Sequence, residues 1–309
     1  MKDKVREASI QGVVIREMIA HFTSLNGIGK KIKSGELRKK MTEPAWKVPK
    51  GYQLTEVQMG TFVMEWLQPE AVFGEKVLLQ LHGGGYVGKM RNAYRDFAVR
   101  YSDLGQGMPV LTIDYRVAPE NPYPAALEDA YSAYQWLLEQ GYAAEQIIVA
   151  GDSAGGGLAM ALCMYLKAQK VPLPCGIIAM SPWTDLTNSG ESYVENYEKD
   201  PLFGKTKESL LYNRDYAGME DVKNPYISPV FGDFSDFPPM LIQAGSYEML
   251  LSDAKMVAQK ARKQGVKVRL TVYEGMFHVF QMSMDMMPES IQAWKEIGKF
   301  MEVLKHSKA

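Results

Sequence analysis

The stretch QIIVAGDSAGGGLAM, residues 146–160, predicts a buried strand that turns directly into a helix. Its first half, Gln146 to Ala150, is apolar without polar alternation, which is typical of a strand buried on both faces of a parallel sheet. Its second half is apolar and poor in β-branched residues, and the predicted helix continues to Lys170. The pentapeptide at 151–155 fits G-x-S-x-G and places Ser153 on a sharp turn among small residues. Ser153 is therefore a candidate nucleophile, and a tight packing turn is the alternative.

The composition is that of a globular protein with a sizeable core. The chain has 309 residues, of which 46% are hydrophobic, a net charge of −1 and no basic stripe, so nucleic acid is not an expected partner. The apolar runs are much shorter than a membrane span and the N-terminus does not resemble a secretory signal, so we expect a cytoplasmic protein without integral membrane association. Cys163 and Cys175 lack metal-binding spacing and are expected to be reduced core residues.

Strands and helices alternate from about residue 52 onward. Six strand-like segments are Val77–Leu81, Val110–Asp114, Ile147–Ala150, Cys175–Met180, Met240–Ala244 and Val268–Tyr273. Helical patterns lie between and after them at Ala125–Glu139, Ala154–Lys170, Asp253–Gln264 and Glu289–Leu304. This alternation predicts an α/β fold whose mostly parallel central sheet is flanked by helices on both faces.

Two segments depart from this alternation. Residues 5–50 are predicted to be helical, with a basic segment at 30–41. An apolar stripe at helical spacing is formed by Val14, Ile15, Met18, Ile19 and Phe22. Residues 184–221 are polar, aromatic and acidic, and they predict an insertion over one end of the sheet. We therefore divide the chain into an N-terminal helical segment, residues 1–50, and an α/β domain, residues 51–309, which carries this insertion.

A serine hydroxyl needs a base to become nucleophilic, and histidine is the usual base near neutral pH. The chain has four histidines. His21 lies on the predicted N-terminal helix and His306 lies in the C-terminal tail, and structural roles are favoured for both. His82 precedes three glycines. His278 follows the last predicted strand, where a loop residue is well placed to meet Ser153, so His278 is the candidate base.

A glycine-rich turn, HGGGY at residues 82–86, directly follows a predicted strand. Consecutive glycines let backbone N–H groups point into a cavity with no Cβ in the way. The N–H groups of Gly83 and Gly84, together with that of Ala154, would form a three-donor oxyanion hole. No Lys-Ser or Lys-Thr pair follows as in a P-loop, so a phosphate cradle is not favoured.

The chain resembles the hormone-sensitive lipase family of α/β-hydrolases over about residues 75–285. The matching motifs, in the order of the family, are HGGGY at 82–86, DYRVAPE at 114–120, NPYPAALED at 121–129, GDSAGG at 151–156, SPWTDL at 181–186, NPYISP at 224–229 and GMFH at 275–278. The resemblance implies Ser153 as nucleophile, His278 as base, an oxyanion hole from Gly83, Gly84 and Ala154, and a cap built from the N-terminal helices and an insertion after Trp183.

The resemblance also implies an activity. Members of the family hydrolyse short- to medium-chain acyl esters without a metal or other cofactor, and many form dimers. We therefore expect a carboxylesterase that works through an acyl-enzyme intermediate and acts on small-molecule esters. Because many members form dimers, a homodimer is a candidate assembly.

The third member of the triad is predicted to be Glu248. The order Ser, then Asp or Glu, then His restricts the acid to residues 154–277. Glu248 follows a predicted strand by four residues and aligns with the first Asp of the Asp-Pro-Leu-x-Asp that many relatives carry. Asp253 is the alternative. Its structural explanation is an acid in the first turn of a helix for which Ser252 looks like an N-cap.

Two other functions remain open. An amidase or peptidase would use the same residues on C–N bonds, and the sequence does not separate ester from amide hydrolysis. A non-catalytic small-molecule receptor on the same fold would predict a damaged triad. Because Ser153 and His278 are both present, the enzyme is favoured over the receptor.

Overall fold

The structure is a computed structural model that describes residues 7–26, 42–71, 74–206 and 209–306. The strands within these ranges are β1 Tyr52–Gln58, β2 Val63–Pro69, β3 Val77–Leu81, β4 Val110–Asp114, β5 Ile147–Asp152, β6 Gly176–Met180, β7 Met240–Gly245 and β8 Val268–Tyr273. The α-helices are α1 Ile10–Asn26, α2 Asn92–Leu104, α3 Ala125–Glu139, α4 Ala154–Ala168, α5 Ser192–Glu195, α6 Leu251–Lys263 and α7 Pro288–His306. Short 3-10 helices occupy Ala144–Gln146, Leu210–Tyr212, Pro229–Phe231 and Phe280–Met286.

The eight strands form one sheet in the order β1-β2-β4-β3-β5-β6-β7-β8. Strand β2 is antiparallel to β1 and β4, and β3 to β8 are parallel to one another. The predicted α/β-hydrolase fold with a mostly parallel sheet is confirmed. The six predicted strands and four predicted helices are all present, with ends that differ by at most two residues.

Both faces of the sheet are covered by helices. Val77 and Leu79 of β3 belong to the apolar cluster that contains side chains of α3, α4 and α6. Leu78, between them, belongs to a second cluster with Phe97 of α2 and Trp294 of α7. Because successive residues of a strand point to opposite faces, a strand covered on both sides is expected to be apolar at nearly every position. Four of the five residues of β3 are apolar, and the side-chain amide of the fifth, Gln80, is buried and donates to the carbonyl oxygen of Tyr94 at 2.8 Å.

The N-terminal prediction is confirmed only in part. Helix α1 forms, but residues 42–49 are not helical, so the helix predicted over 5–50 is wrong there. The basic segment at 30–41 lies outside the described residues. Ile15 and Ile19 pack on the cluster that contains Met276 and Phe280. The other stripe residues, Val14, Met18 and Phe22, are exposed.

The described residues of the predicted insertion, 184–206 and 209–221, contain α5 and the 3-10 helix Leu210–Tyr212 and are otherwise irregular. The division of the molecule into cap and catalytic domain stays a prediction. None of the helices in the described ranges has the length and apolar character that crossing a membrane requires. Cys163 is a buried free thiol, and Cys175 is a half-buried one.

Candidate active site

Ser153 lies on the turn between β5 and α4. Its backbone angles are φ 52° and ψ −121°, in a region that non-glycine residues rarely adopt. A Cβ on Gly151 would collide with the backbone of Gly155, and one on Gly155 would collide with the carbonyl of Leu81. The small residues around Ser153 are therefore required by the turn, which has the strained geometry of a nucleophile elbow.

His278 is the histidine that meets Ser153. Its Nε2 lies 2.9 Å from Ser153 Oγ, and both residues are 6% exposed. His278 follows the end of β8 by five residues, so the strand delivers it to the same edge of the sheet as the turn after β5. The ring of Phe203 packs beside the imidazole, with 4.8 Å between the ring centroids. The histidine and the serine predicted from sequence are thus within hydrogen-bond distance.

Glu248 is fully buried and lies on the other side of the imidazole. Its Oε2 is 3.0 Å from His278 Nδ1. Its Oε1 accepts a hydrogen bond from Ser181 Oγ at 2.7 Å and another from the N–H of Gly245. Serine hydroxyl, imidazole and carboxylate therefore form one continuous hydrogen-bonded series.

Asp253, the alternative acid, is buried elsewhere in the molecule. Its Oδ2 accepts the N–H groups of Thr184 and Asp185, each at 2.8 Å, so its carboxylate holds the loop after β6. Burial raises the pKa of Asp253 well above its ordinary value. Ser252 is not the N-cap predicted for this helix, because α6 already begins at Leu251. The Ser252 Oγ instead accepts a hydrogen bond from a backbone N–H of the insertion.

In the glycine turn, the structure disagrees with the prediction that Gly83 is an oxyanion-hole donor. The N–H of Gly83 donates to Oδ1 of buried Asp152 at 3.0 Å, so it is not available to an oxyanion. Gly84 and Gly85 have φ of 118° and 62°, which favour glycine. Within the described part of the chain, the N–H groups of Gly84, Gly85 and Ala154 have no hydrogen-bond acceptor. These three groups are free to bind an oxyanion.

Buried aromatic and imidazole rings support the glycine turn. The ring of His82 stacks on Tyr115 with 4.1 Å between centroids and 5° between planes. The Tyr115 hydroxyl donates to the carbonyl oxygen of His82 at 2.7 Å. Burial lowers the pKa of His82, which favours the neutral ring. The structural role of His82 is thus to fix the start of the turn.

Asp152 joins the turn of Ser153 to the glycine turn. Burial raises the pKa of its carboxyl to about 6, and His278 and the Gly83 N–H partly offset this effect. The Tyr94 hydroxyl lies 3.4 Å from the second carboxylate oxygen. An ionised carboxylate in this position is costly unless it accepts hydrogen bonds, and the Gly83 N–H supplies one.

Polar residues of the insertion hold the loop that carries Glu248. Asn196 Nδ2 donates to the carbonyl oxygen of Glu248 at 2.8 Å. Asp200 accepts the N–H of Met249 at 2.8 Å and the N–H of Phe203 at 3.0 Å. Sequence reasoning missed these contacts, because the polar character of the segment was the only signal and it does not specify a partner.

Helix α1 contacts the two loops that carry Glu248 and His278. Arg16 Nη1 donates to the carbonyl oxygen of Gly275 at 3.0 Å, three residues before His278. The same guanidinium lies 4.4 Å from the ring centroid of Tyr247, next to Glu248, in a cation–π contact. The N-terminal helix is therefore packed against the site rather than against a remote part of the core.

The arrangement has the chemistry of nucleophilic catalysis. An imidazole held by a carboxylate can accept the proton of a serine hydroxyl, and free backbone N–H groups can stabilise the charge that develops on a carbonyl oxygen. No group of three or more His, Cys, Asp or Glu side chains suited to a metal ion is found in the described ranges.

In sequence, the chain is similar to α/β-hydrolases and to proteins named as esterases. A family profile described as an α/β hydrolase fold matches residues 78–282. The chain is 38% identical to an acetyl-hydrolase of Streptomyces hygroscopicus over 245 residues, which is 79% of this chain and 81% of that protein. It is also 38% identical to an esterase of Acinetobacter venetianus over 227 residues, which is 73% of this chain and 74% of that one.

Solved structures agree over nearly the whole chain. A crystal structure of EstE5 soaked with ethyl alcohol superposes with a TM-score of 0.85 at 32% identity, covering 97% of this chain and all of that one. A hormone-sensitive lipase from a metagenome library superposes with a TM-score of 0.83 at 32% identity, covering 96% of this chain and 99% of that one.

Proposed function

The chain belongs to the hormone-sensitive lipase family of α/β-hydrolases and is a carboxylic ester hydrolase, and we propose that it works through an acyl-enzyme intermediate on Ser153. The observation that carries this proposal is the continuous series of hydrogen bonds from Ser153 Oγ through both nitrogens of His278 to Glu248. A packing turn would need neither the imidazole nor the carboxylate.

In the proposed reaction, His278 Nε2 accepts the proton of Ser153 as Oγ attacks the ester carbonyl carbon. Glu248 accepts the hydrogen bond from Nδ1–H, which selects the tautomer with a free Nε2 and stabilises the imidazolium. The imidazolium then gives its proton to the departing alcohol, which leaves the acyl group on Oγ. Water repeats the sequence on the acyl-enzyme and releases the carboxylic acid and the free serine.

We assign the oxyanion hole to the N–H groups of Gly84, Gly85 and Ala154. Gly85 replaces Gly83 in this set, because the Gly83 N–H is used by Asp152. Removing one preorganised donor typically costs about 10²- to 10³-fold in kcat, so the identity of the donors matters to the rate.

Short acyl chains are the expected substrates. The side chain of Leu210 lies so close to Gly85 that a Cβ there would collide with it, and the ring of Phe203 packs beside His278. These two side chains of the insertion limit the space around the proposed reacting atoms. One of the relatives is named an acetyl-hydrolase, in agreement with a small acyl group.

The proposal is tested with p-nitrophenyl esters of increasing acyl length, matched p-nitroanilides and the variant Ser153→Ala. We expect hydrolysis of the short esters by the wild type and a loss of about 10⁴- to 10⁶-fold in the variant, because removal of a triad member usually costs that much. Thermal unfolding of both proteins verifies that the variant is folded. Turnover near the wild-type level in folded Ser153→Ala would refute the mechanism, and preferential cleavage of the anilides would assign an amidase.

A further inference from the structure

Ser181 contacts the proposed triad at two points, although it is not one of its members. It directly follows β6 and is fully buried. Its hydroxyl donates to Glu248 Oε1 at 2.7 Å and accepts the N–H of Val279 at 3.0 Å. Because Val279 is the neighbour of His278, a single hydroxyl joins the acid to the chain segment that carries the base.

The two oxygens of the Glu248 carboxylate have different partners. Oε1 accepts hydrogen bonds from Ser181 and from the N–H of Gly245, whereas Oε2 faces His278 Nδ1. Hydrogen bonds to a charged acceptor in a buried site are among the strongest in proteins. Two such bonds on Oε1 oppose rotation of the carboxylate, which would otherwise be free to turn about the additional side-chain bond that glutamate has relative to aspartate.

Both residues of the hydrogen bond between Ser181 and Val279 have a strained backbone. Ser181 has φ 47° and Val279 has φ 48°, in the left-handed region. For a β-branched residue such as valine this conformation is a true outlier, and strained residues of this kind cluster at functional sites. The N–H of strained Val279 is the group that Ser181 Oγ accepts, so the hydroxyl also supports the conformation that aims His278.

We propose that Ser181 is a positioning residue that fixes Glu248 and the His278 loop relative to each other, so that Oε2 faces Nδ1 throughout the reaction. This proposal rests on the proposed function. Ser181 does not touch the substrate. Its effect passes through Glu248 and Val279, and therefore it should act on the chemical step and leave the binding of the ester almost unchanged.

The test compares Ser181→Ala with Ser181→Gly. Both variants lack the hydroxyl, but glycine adopts a positive φ without strain, so a loss in both cannot come from the backbone. We expect kcat for a short p-nitrophenyl ester to fall about 10- to 100-fold in each, with KM changed by less than about twofold, as the loss of one hydrogen bond to a charged group predicts. The low-field proton resonance of His278 Nδ1–H should shift or broaden in both variants.

Two controls separate this effect from loss of a buried hydroxyl in general. Ser290→Ala removes another fully buried hydroxyl, which bonds to the carbonyl oxygen of Gln281, and kcat should stay within about twofold of the wild type. In a Glu248→Ala background only the contact with Val279 is left, so Ser181→Ala should cause a smaller loss than it does in the wild-type background.

The outcomes distinguish the two proposals. Wild-type kcat in both Ser181 variants, or a full additional loss in the Glu248→Ala background, would overturn the role of Ser181. If Ser153→Ala and Glu248→Ala meanwhile lose activity, the proposed function still stands. Activity retained in Ser153→Ala would instead refute the proposed function.

Discussion

Two buried carboxylates lie in the loop and first helical turn that follow β7, and they have different neighbours. Glu248 faces an imidazole, whereas Asp253 faces two backbone N–H groups. A carboxylate that faces an imidazole can stabilise positive charge on it, and a carboxylate that faces amides can only fix a loop. The assignment of the acid therefore depends on contacts across the sheet, which spacing along the chain does not specify.

Substitution of each carboxylate in turn should separate the roles of Glu248 and Asp253. Glu248→Gln should lower kcat by up to about 10⁴-fold, because an amide cannot hold the required tautomer of His278. Asp253→Asn should lower the free energy of unfolding and leave kcat nearly unchanged. Steady-state kinetics and thermal unfolding of both variants measure the two effects. The opposite pattern would transfer the role to Asp253.

Asp152 gives a prediction about pH. Burial raises the pKa of this carboxyl to about 6 in the folded protein, above the ordinary value of 3.8. The folded state thus holds the proton more tightly than the unfolded chain does, so this group lowers stability as the pH rises from about 4 to about 6. Asp152→Asn removes this effect and keeps an oxygen that accepts the Gly83 N–H.

Between pH 4 and pH 7, the free energy of unfolding of Asp152→Asn should rise by about 1 to 3 kcal/mol relative to that of the wild type. Chemical denaturation of both proteins between these pH values measures it. A difference that stays constant, or that changes in favour of the wild type, would show that Asp152 is not the buried acid described here.

At the residue scale, the sequence pointed to Ser153 and His278, which the structure brings within hydrogen-bond distance. Ser153 lies in a G-x-S-x-G pattern that fits the sharp turn, and His278 lies on a loop beyond the last predicted strand, where it can meet a serine that also follows a strand. Sequence reasoning failed at Gly83, because a pattern of three glycines does not tell which N–H a buried carboxylate will occupy. It also missed Ser181, whose two hydrogen bonds join segments that are far apart in the sequence.

Strands were predictable from the sequence where burial on both faces makes nearly every position apolar. Strands β3, β5 and β6 are buried along their whole length, and their mainly apolar runs mark them in the sequence. Strands β1 and β2 and helix α2 were missed because polar residues interrupt their apolar patterns. In α1 the stripe that predicted the helix includes exposed residues, so it did not predict which side packs on the core.

The contacts of helix α1 predict that removal of the N-terminal segment changes the activity. Arg16 contacts both loops of the proposed triad, and Thr23 Oγ donates to the carbonyl oxygen of Pro201, two residues before Phe203. Deleting residues 1–45 should therefore lower kcat and change the acyl-length preference. The ester series used for the wild type measures both, with thermal unfolding as the control. A folded truncation with an unchanged acyl-length profile would refute a role for this segment in specificity.

On the scale of the whole molecule, the proposed catalytic groups come from distant parts of the chain but from one edge of the sheet. Ser153 follows β5, Glu248 follows β7, His278 follows β8, and Gly84 follows β3. Because these strands are parallel, their carboxyl ends meet at this edge, where α/β proteins bind their ligands. The order of motifs along the sequence thus predicts a single site.

The most direct test of the central claim is to identify the atom that forms the covalent bond. Diethyl p-nitrophenyl phosphate transfers a phosphoryl group to an activated serine and releases p-nitrophenolate. We predict one equivalent of p-nitrophenolate per chain, complete loss of esterase activity, and a mass increase of one diethylphosphoryl group on the peptide that contains Ser153. Ser153→Ala should remain unmodified. Loss of activity with the group on another residue, or with no modified residue, would contradict the account.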